Sequence, residues 1–325
     1  MLPSRRGRKD VAAEESKQDE TPPYPRSLER CRARLQMSYD LFLGCRGGDY
    51  DPDRFKRYFR GREFYQIEAN EAVYDNKDTG VCFSFYLEEG SLVPGTEGMP
   101  IVFNVNFFRP SYFILEAEPE VTALVRNFDL IAFDPQDHGI QGEEYDRTAL
   151  IAGWNHGNEF AYSAILGDPG NRRNLFSLPT ENLTRIWAWN KNVKTMQTFV
   201  GDSKFVPRTF FVQTGQDVAA AIVWGDGIPI VIPQVDYLIV ARKELAPRPL
   251  PNDAADETLL AWNDAHSFFQ TVDVKRLGEA IVLDYDQPPA HVMNFVRSLP
   301  SQDSELKGIH PACVLDRELV EKYVR

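Results

Sequence analysis

Phe64-Tyr-Gln-Ile-Glu-Ala-Asn-Glu-Ala-Val-Tyr74, Asp75-Asn-Lys-Asp-Thr-Gly80 and Val81-Cys-Phe-Ser-Phe-Tyr-Leu87 follow one another without a break. The outer two runs read as strands, and the Asn, Asp and Gly between them read as the turn of a hairpin. A third strand, Ile101-Val-Phe-Asn-Val-Asn-Phe-Phe108, follows a Gly/Pro-bearing connection. Val81, Phe83, Phe85 and Leu87 fall on one side of their strand, and Ile101, Phe103, Val105 and Phe107 do the same in theirs. That period of two is the pattern of a sheet with one buried face.

Working outward toward the N-terminus, Gln36–Cys45 reads as a strand. Asp51 before Pro52 reads as an N-cap followed by proline at the first helical position. Phe55, Tyr58 and Phe59 then lie on one side of the short helix that this start predicts. Toward the C-terminus, Ser111–Ala117 reads as a short strand, Pro119–Phe128 as a helix entered through its proline, and Leu130–Phe133 as a strand. The order strand, helix, strands, helix, strand predicts an α+β unit, an antiparallel or mixed sheet with helices packed on one face. A ferredoxin-like core with extra strands is one version of that order. Gln136–Ser177 is the least regular part of the folded body and carries two glycine-bearing segments, Asp137-His138-Gly139 and Gly153-Trp-Asn-His-Gly-Asn158, with room for short helices between and after them.

The second half opens with Thr180 as an N-cap. An apolar stripe through Leu183, Ile186, Trp187, Val193, Met196 and Val200 predicts a helix that ends at Gly201. Strands are expected at 209–214, 218–224, 228–232 and 235–241, with Pro229 and Pro233 confining the third to a sheet edge or bulge. Glu257–Phe269 reads as a helix, Ala280–Asp284 as a strand and Pro289–Leu299 as a helix. Gly, Pro, Asn and Arg cluster near residues 169–179, which places a boundary there. The expected organisation is a polar tail (1–35), an N-terminal α+β domain (36–175) and a C-terminal α+β domain (176–325).

The 325 residues are 43% hydrophobic and 26% charged, the balance of a soluble globular chain. A net charge of −12 argues against binding to nucleic acid or anionic membrane, since both need basic surface. Residues 1–36 carry nine Lys/Arg and six Asp/Glu, a net of +3, which leaves −15 on the remainder. The body of the chain is therefore acidic and suited to a basic protein partner. Cys31, Cys45, Cys82 and Cys313 have neither metal-ligand nor redox spacing and read as reduced thiols. With no secretory pattern and no run of 18 apolar residues, a soluble cytoplasmic protein is expected.

The chain carries no Gly-rich dinucleotide or P-loop motif, no Gly-x-Ser-x-Gly, no His-Glu-x-x-His and no paired Cys-x-x-Cys. No cofactor and no metal site is therefore expected. Asp134, Asp137 and His138, at and just past a strand's carboxyl end, together with His156, are the catalytic candidates, because Asp and His can share a divalent metal. Asp-Pro and Asp-His-Gly are equally ordinary turn chemistry. Trp154 and Trp189 are the binding candidates. Trp154 sits among Asn residues that could line a polar pocket, and Trp189 lies two residues from the apolar Trp187 and so on another side of its helix. Two functions fit. The first is a non-enzymatic protein-binding module, such as a bacterial immunity or antitoxin-type protein neutralising a toxin. The second is a metal-dependent hydrolase, or another enzyme, built on Asp134, Asp137, His138 and His156.

Overall fold

The structure, a computed structural model, describes residues 37–47, 50–88, 90, 93–136, 139–140, 144–172, 175–247, 256–301 and 306–324. The first half runs β1 (Ser38–Cys45), α1 (Pro52–Phe59), β2 (Tyr65–Glu68), β3 (Glu71–Asn76), β4 (Val81–Leu87), β5 (Ile101–Asn106), α2 (Tyr112–Phe128), β6 (Leu130–Phe133) and α3 (Arg147–Leu166). Its six strands form one sheet in the order β2-β3-β4-β5-β1-β6, with every pairing antiparallel. Within it, β6-β1-β5-β4 and the two helical connections reproduce the β-α-β-β-α-β path of a ferredoxin-like core, and β3 and β2 extend the sheet at one edge.

The period of two holds. Leu41, Phe83, Phe85, Phe103 and Val105 all enter one core, where Phe59 of α1 stacks on Phe85 with centroids 5.3 Å apart. The predicted cap of α1 is also present, since Asp51 accepts the Asp53 N–H at 2.9 Å. Three expectations fail in this half. Phe64–Tyr74 is two strands, because the chain turns at Ala69-Asn70 with Ala69 at φ 46°. Ser111–Ala117 is no strand, since α2 starts at Tyr112 and runs through Pro119. A proline inside a helix forfeits a backbone hydrogen bond at a cost of about 3 kcal/mol. Burial of Phe113, Ala117, Val121, Leu124 and Phe128, a stripe at helical spacing on both sides of the proline, offsets it.

The third correction is the stretch read as irregular. Much of it is the 20-residue α3, capped by Asp146 through the N–H groups of Thr148 and Ala149. Its glycines are packing devices. A Cβ at Gly157 would lie 2.2 Å from the Phe107 ring, and one at Gly153 would lie 2.7 Å from Gly139 Cα. Glycine lowers helix propensity, and here the loss accompanies a close helix approach.

The second half runs β7 (Phe176–Leu178), α4 (Thr180–Val200), β8 (Phe210–Thr214), β9 (Asp217–Gly225), β10 (Ile230–Ile232), β11 (Tyr237–Arg242), β12 (Asp256–Ala261), α5 (Trp262–Phe269), β13 (Val274–Leu277), β14 (Ala280–Leu283), α6 (Ala290–Ser298), β15 (Gly308–Ile309), β16 (Val314–Asp316) and α7 (Arg317–Val324). A five-stranded sheet, β12-β11-β9-β8-β15, is mixed, with β9 and β11 parallel. Strands β10-β14-β13 and β16-β7 form smaller sheets, and Ile230–Ile232 between its two prolines is an edge strand as expected. Glu257–Phe269 is not one helix. Its first part is drawn into β12 by six residue pairings with β11, and only Trp262 onward is helical. This is tertiary pairing overriding local preference. The α+β class is confirmed. Across the boundary expected near 175, Leu183, Ile186, Phe211, Val218 and Val314 join the same buried cluster as the first sheet. No helix among the described residues is long and apolar enough to cross a membrane.

Candidate binding groove

Alternation along a strand that buries Phe83, Phe85 and Phe103 sends their neighbours to the opposite face. One row of cross-strand partners there is Gln66, Val73, Ser84, Asn104 and Asp40, and the next is Glu68, Glu71, Tyr86, Val102 and Phe42. The β4–β5 connection covers part of this face. Its Gly98 carbonyl comes so close to β1 that a Cβ at Gly44 would meet it at 2.8 Å. The rest is a groove of about 540 Å³, lined by residues that include Glu68, Asn70, Glu71, Tyr86, Asn104 and Asn106.

Among the described residues no Lys, Arg or His lines this groove. Asp40 shapes one side, where its carboxylate accepts the Asn104 side-chain amide at 2.6 Å and the Ser38 hydroxyl at 3.1 Å. Tyr86 records the local potential. Burial, followed by the carboxylates of Asp40, Glu88 and Glu71, pushes its phenol up to about 12. The groove therefore offers carboxylates and carboxamides to a visitor, and it favours positive charge.

The described residues singled out from sequence lie elsewhere. Asp134 is buried, and its carboxylate accepts the Tyr39 hydroxyl at 2.7 Å and the Gln136 N–H at 2.8 Å. The Tyr39 phenol is raised far above its usual range by burial and then by that carboxylate. Asp134 thus caps the turn after β6 and ties it to β1. His156 is exposed on α3. Asp137 and His138 lie outside the described residues. Among the described residues no group of three or more His, Cys, Asp or Glu is arranged to hold a metal ion. Trp154 is fully buried in α3, and its ring centroid lies 6.3 Å from that of Phe107. Trp189 is half-buried against Val206 and Val231, and its indole N–H donates to the Pro207 carbonyl at 2.8 Å. Neither Asp134, His156 nor Trp154 lines the groove. The signal for the groove was the asparagines at outward positions 104 and 106, flanked by apolar inward residues. Sequence reasoning passed over them.

No family model matches the chain, and neither a curated protein nor a solved structure matches it.

Proposed function

We propose that the chain is a non-enzymatic protein-binding module, of the immunity or antitoxin kind, that receives a basic segment of a partner protein in the groove of the six-stranded sheet. The observation that carries this reading is the groove's chemistry: Glu68, Glu71 and Asn104 line it, Asp40 adjoins it, and no basic side chain among the described residues lines it. An acidic concavity on a chain of net charge −12 speeds the approach of a cationic partner and repels the phosphates of nucleic acid. The same reading takes the protein as cytoplasmic. Among the described residues Cys45, Cys82 and Cys313 form no disulfide, and Cys31 lies outside the described residues.

The test is affinity capture from the native lysate at moderate salt, run in parallel with wild type and a Glu68→Lys/Glu71→Lys variant of matched melting temperature. A stoichiometric basic partner should be held by wild type, be released at high salt, and bind the variant at least about tenfold more weakly. Equal retention by the variant, or recovery of the wild-type chain alone, sinks the reading.

A further inference from the structure

A second concavity runs along α4, where that helix faces the second half's strands. Its polar part, about 380 Å³, is lined by Asn182, Arg185, Gln234, Asp236, Tyr237 and Trp262 among others. Arg185 and Gln234 also line an adjoining, mainly apolar slot of about 320 Å³, whose walls include Trp189, Met196, Pro233 and Leu277, with the exposed Glu279 among its lining residues. The two spaces thus meet at one guanidinium.

The charges in this cleft are held in place without being neutralised. Arg185 donates to the side-chain oxygens of Gln234 and, at 3.4 Å, of Asn182, and its buried Nε has no partner. Both acceptors are neutral amides, which aim the guanidinium while leaving its charge uncompensated. No ion pair to Arg185 occurs among the described residues, although arginines such as Arg46, Arg57, Arg62 and Arg208 all have carboxylate partners. Asp236 is the mirror case. Its Oδ2 accepts the Ala220 N–H at 2.8 Å, its backbone is fixed by bonds to Ala220 and from Trp262, and no basic side chain pairs with it among the described residues. One cavity therefore holds a cation and an anion that do not pair with each other.

A simple anion would meet Arg185 but be opposed by Asp236, and a simple cation would meet the reverse. A zwitterion satisfies both. From this we infer that the cleft binds a free α-amino acid with an apolar side chain. Its carboxylate lies against Arg185, its ammonium against Asp236, and its side chain enters the slot beside Trp189 and Met196. Charge-assisted bonds at both ends supply the selectivity, and burial of the side chain supplies the remaining affinity.

Isothermal titration of the full-length protein at neutral pH with L-phenylalanine tests this directly. A Kd below about 1 mM is expected. L-phenylalaninamide, which lacks the carboxylate, N-acetyl-L-phenylalanine, which lacks the ammonium, and glycine, which lacks the side chain, should each bind at least about tenfold more weakly. Arg185→Met and Asp236→Asn should each cost at least about tenfold, and the second keeps an oxygen for the Ala220 N–H, so it leaves that backbone contact in place. Undetectable L-phenylalanine binding to wild type overturns the assignment. So does an analogue, or a variant with unchanged melting temperature, that binds as tightly as the parent pair. Equal binding of the N-acetyl compound identifies a plain anion site in its place.

Discussion

The two faces of the six-stranded sheet carry acidic groups under opposite conditions. On the helix-covered face, Glu116 of α2 is 2% exposed, and its carboxylate receives the Tyr74 hydroxyl, the Asn76 amide, the Thr79 hydroxyl and the Trp187 indole N–H at 2.6–3.0 Å. On the other face, Asp40 has two protein donors and a neighbouring groove open to solvent. Glu116 has neutral donors at both oxygens, and the donors come from the sheet and from α4, so it fastens the two halves of the chain together. Asp40, whose two donors are also neutral, leaves its charge beside a groove open to solvent. A carboxylate's surroundings, more than its identity, separate a fastening from a docking group.

The largest effect expected from breaking this contrast is on the covered face. Glu116→Leu leaves three buried donors and the half-buried Trp187 indole without their acceptor and should cost about 3 kcal/mol or more in urea unfolding. Glu116→Gln should cost distinctly less, because one oxygen still accepts. If Glu116→Leu proves neutral, the donors have other partners and the junction between α2 and α4 is not built on this carboxylate. A smaller loss should follow Gly157→Ala. On an unpacked helix the change would stabilise by about 1 kcal/mol. Here the new methyl meets the Phe107 ring, and overpacking of that kind costs about 1–3 kcal/mol. Net destabilisation is therefore the expected sign, and a raised melting temperature would show that α3 does not press on the covered face.

These contrasts also show which features can be read from sequence. The strands at 81–87 and 101–106 were legible because alternation is a local signal, and so was the Asp51-Pro52 helix start. The turn at Ala69-Asn70 was not, because alanine at positive φ carries no turn signature. α3 was hidden by Gly153, Asn155, Gly157 and Asn158, residues of poor helix propensity, two of which are there for what the helix packs against. β12 was hidden because its partner strand decides its conformation. Asp134 was correctly placed at a strand end, but the Tyr39 hydroxyl that occupies it comes from 95 residues earlier. Alternation could name the outward residues of the groove, yet only tertiary structure determines that helices leave that face open. The cleft at Arg185 joins segments around residues 182, 236 and 262, so no local pattern announces it.

The smallest effect, and the most direct reading of the open face, is the titration of Tyr86. Its phenol stands at about 12 against an ordinary 10, with burial first and Asp40 second among the causes. Asp40→Asn removes that carboxylate's charge and should bring the value down toward 10, read by NMR on ring-labelled tyrosine. A raised phenol pKa contributes stability that is fully present below pH 10 and is lost as the pH climbs from 10 through about 12, because the unfolded chain gives up the proton first. The variant should narrow that window from above. At neutral pH both phenols stay protonated, and any stability change must then come from the hydrogen bonds of Asp40 alone. An unmoved Tyr86 would mean that burial, with Glu88 and Glu71, sets the shift without Asp40. Asp40 would then add nothing to the negative potential on which docking of a basic segment depends.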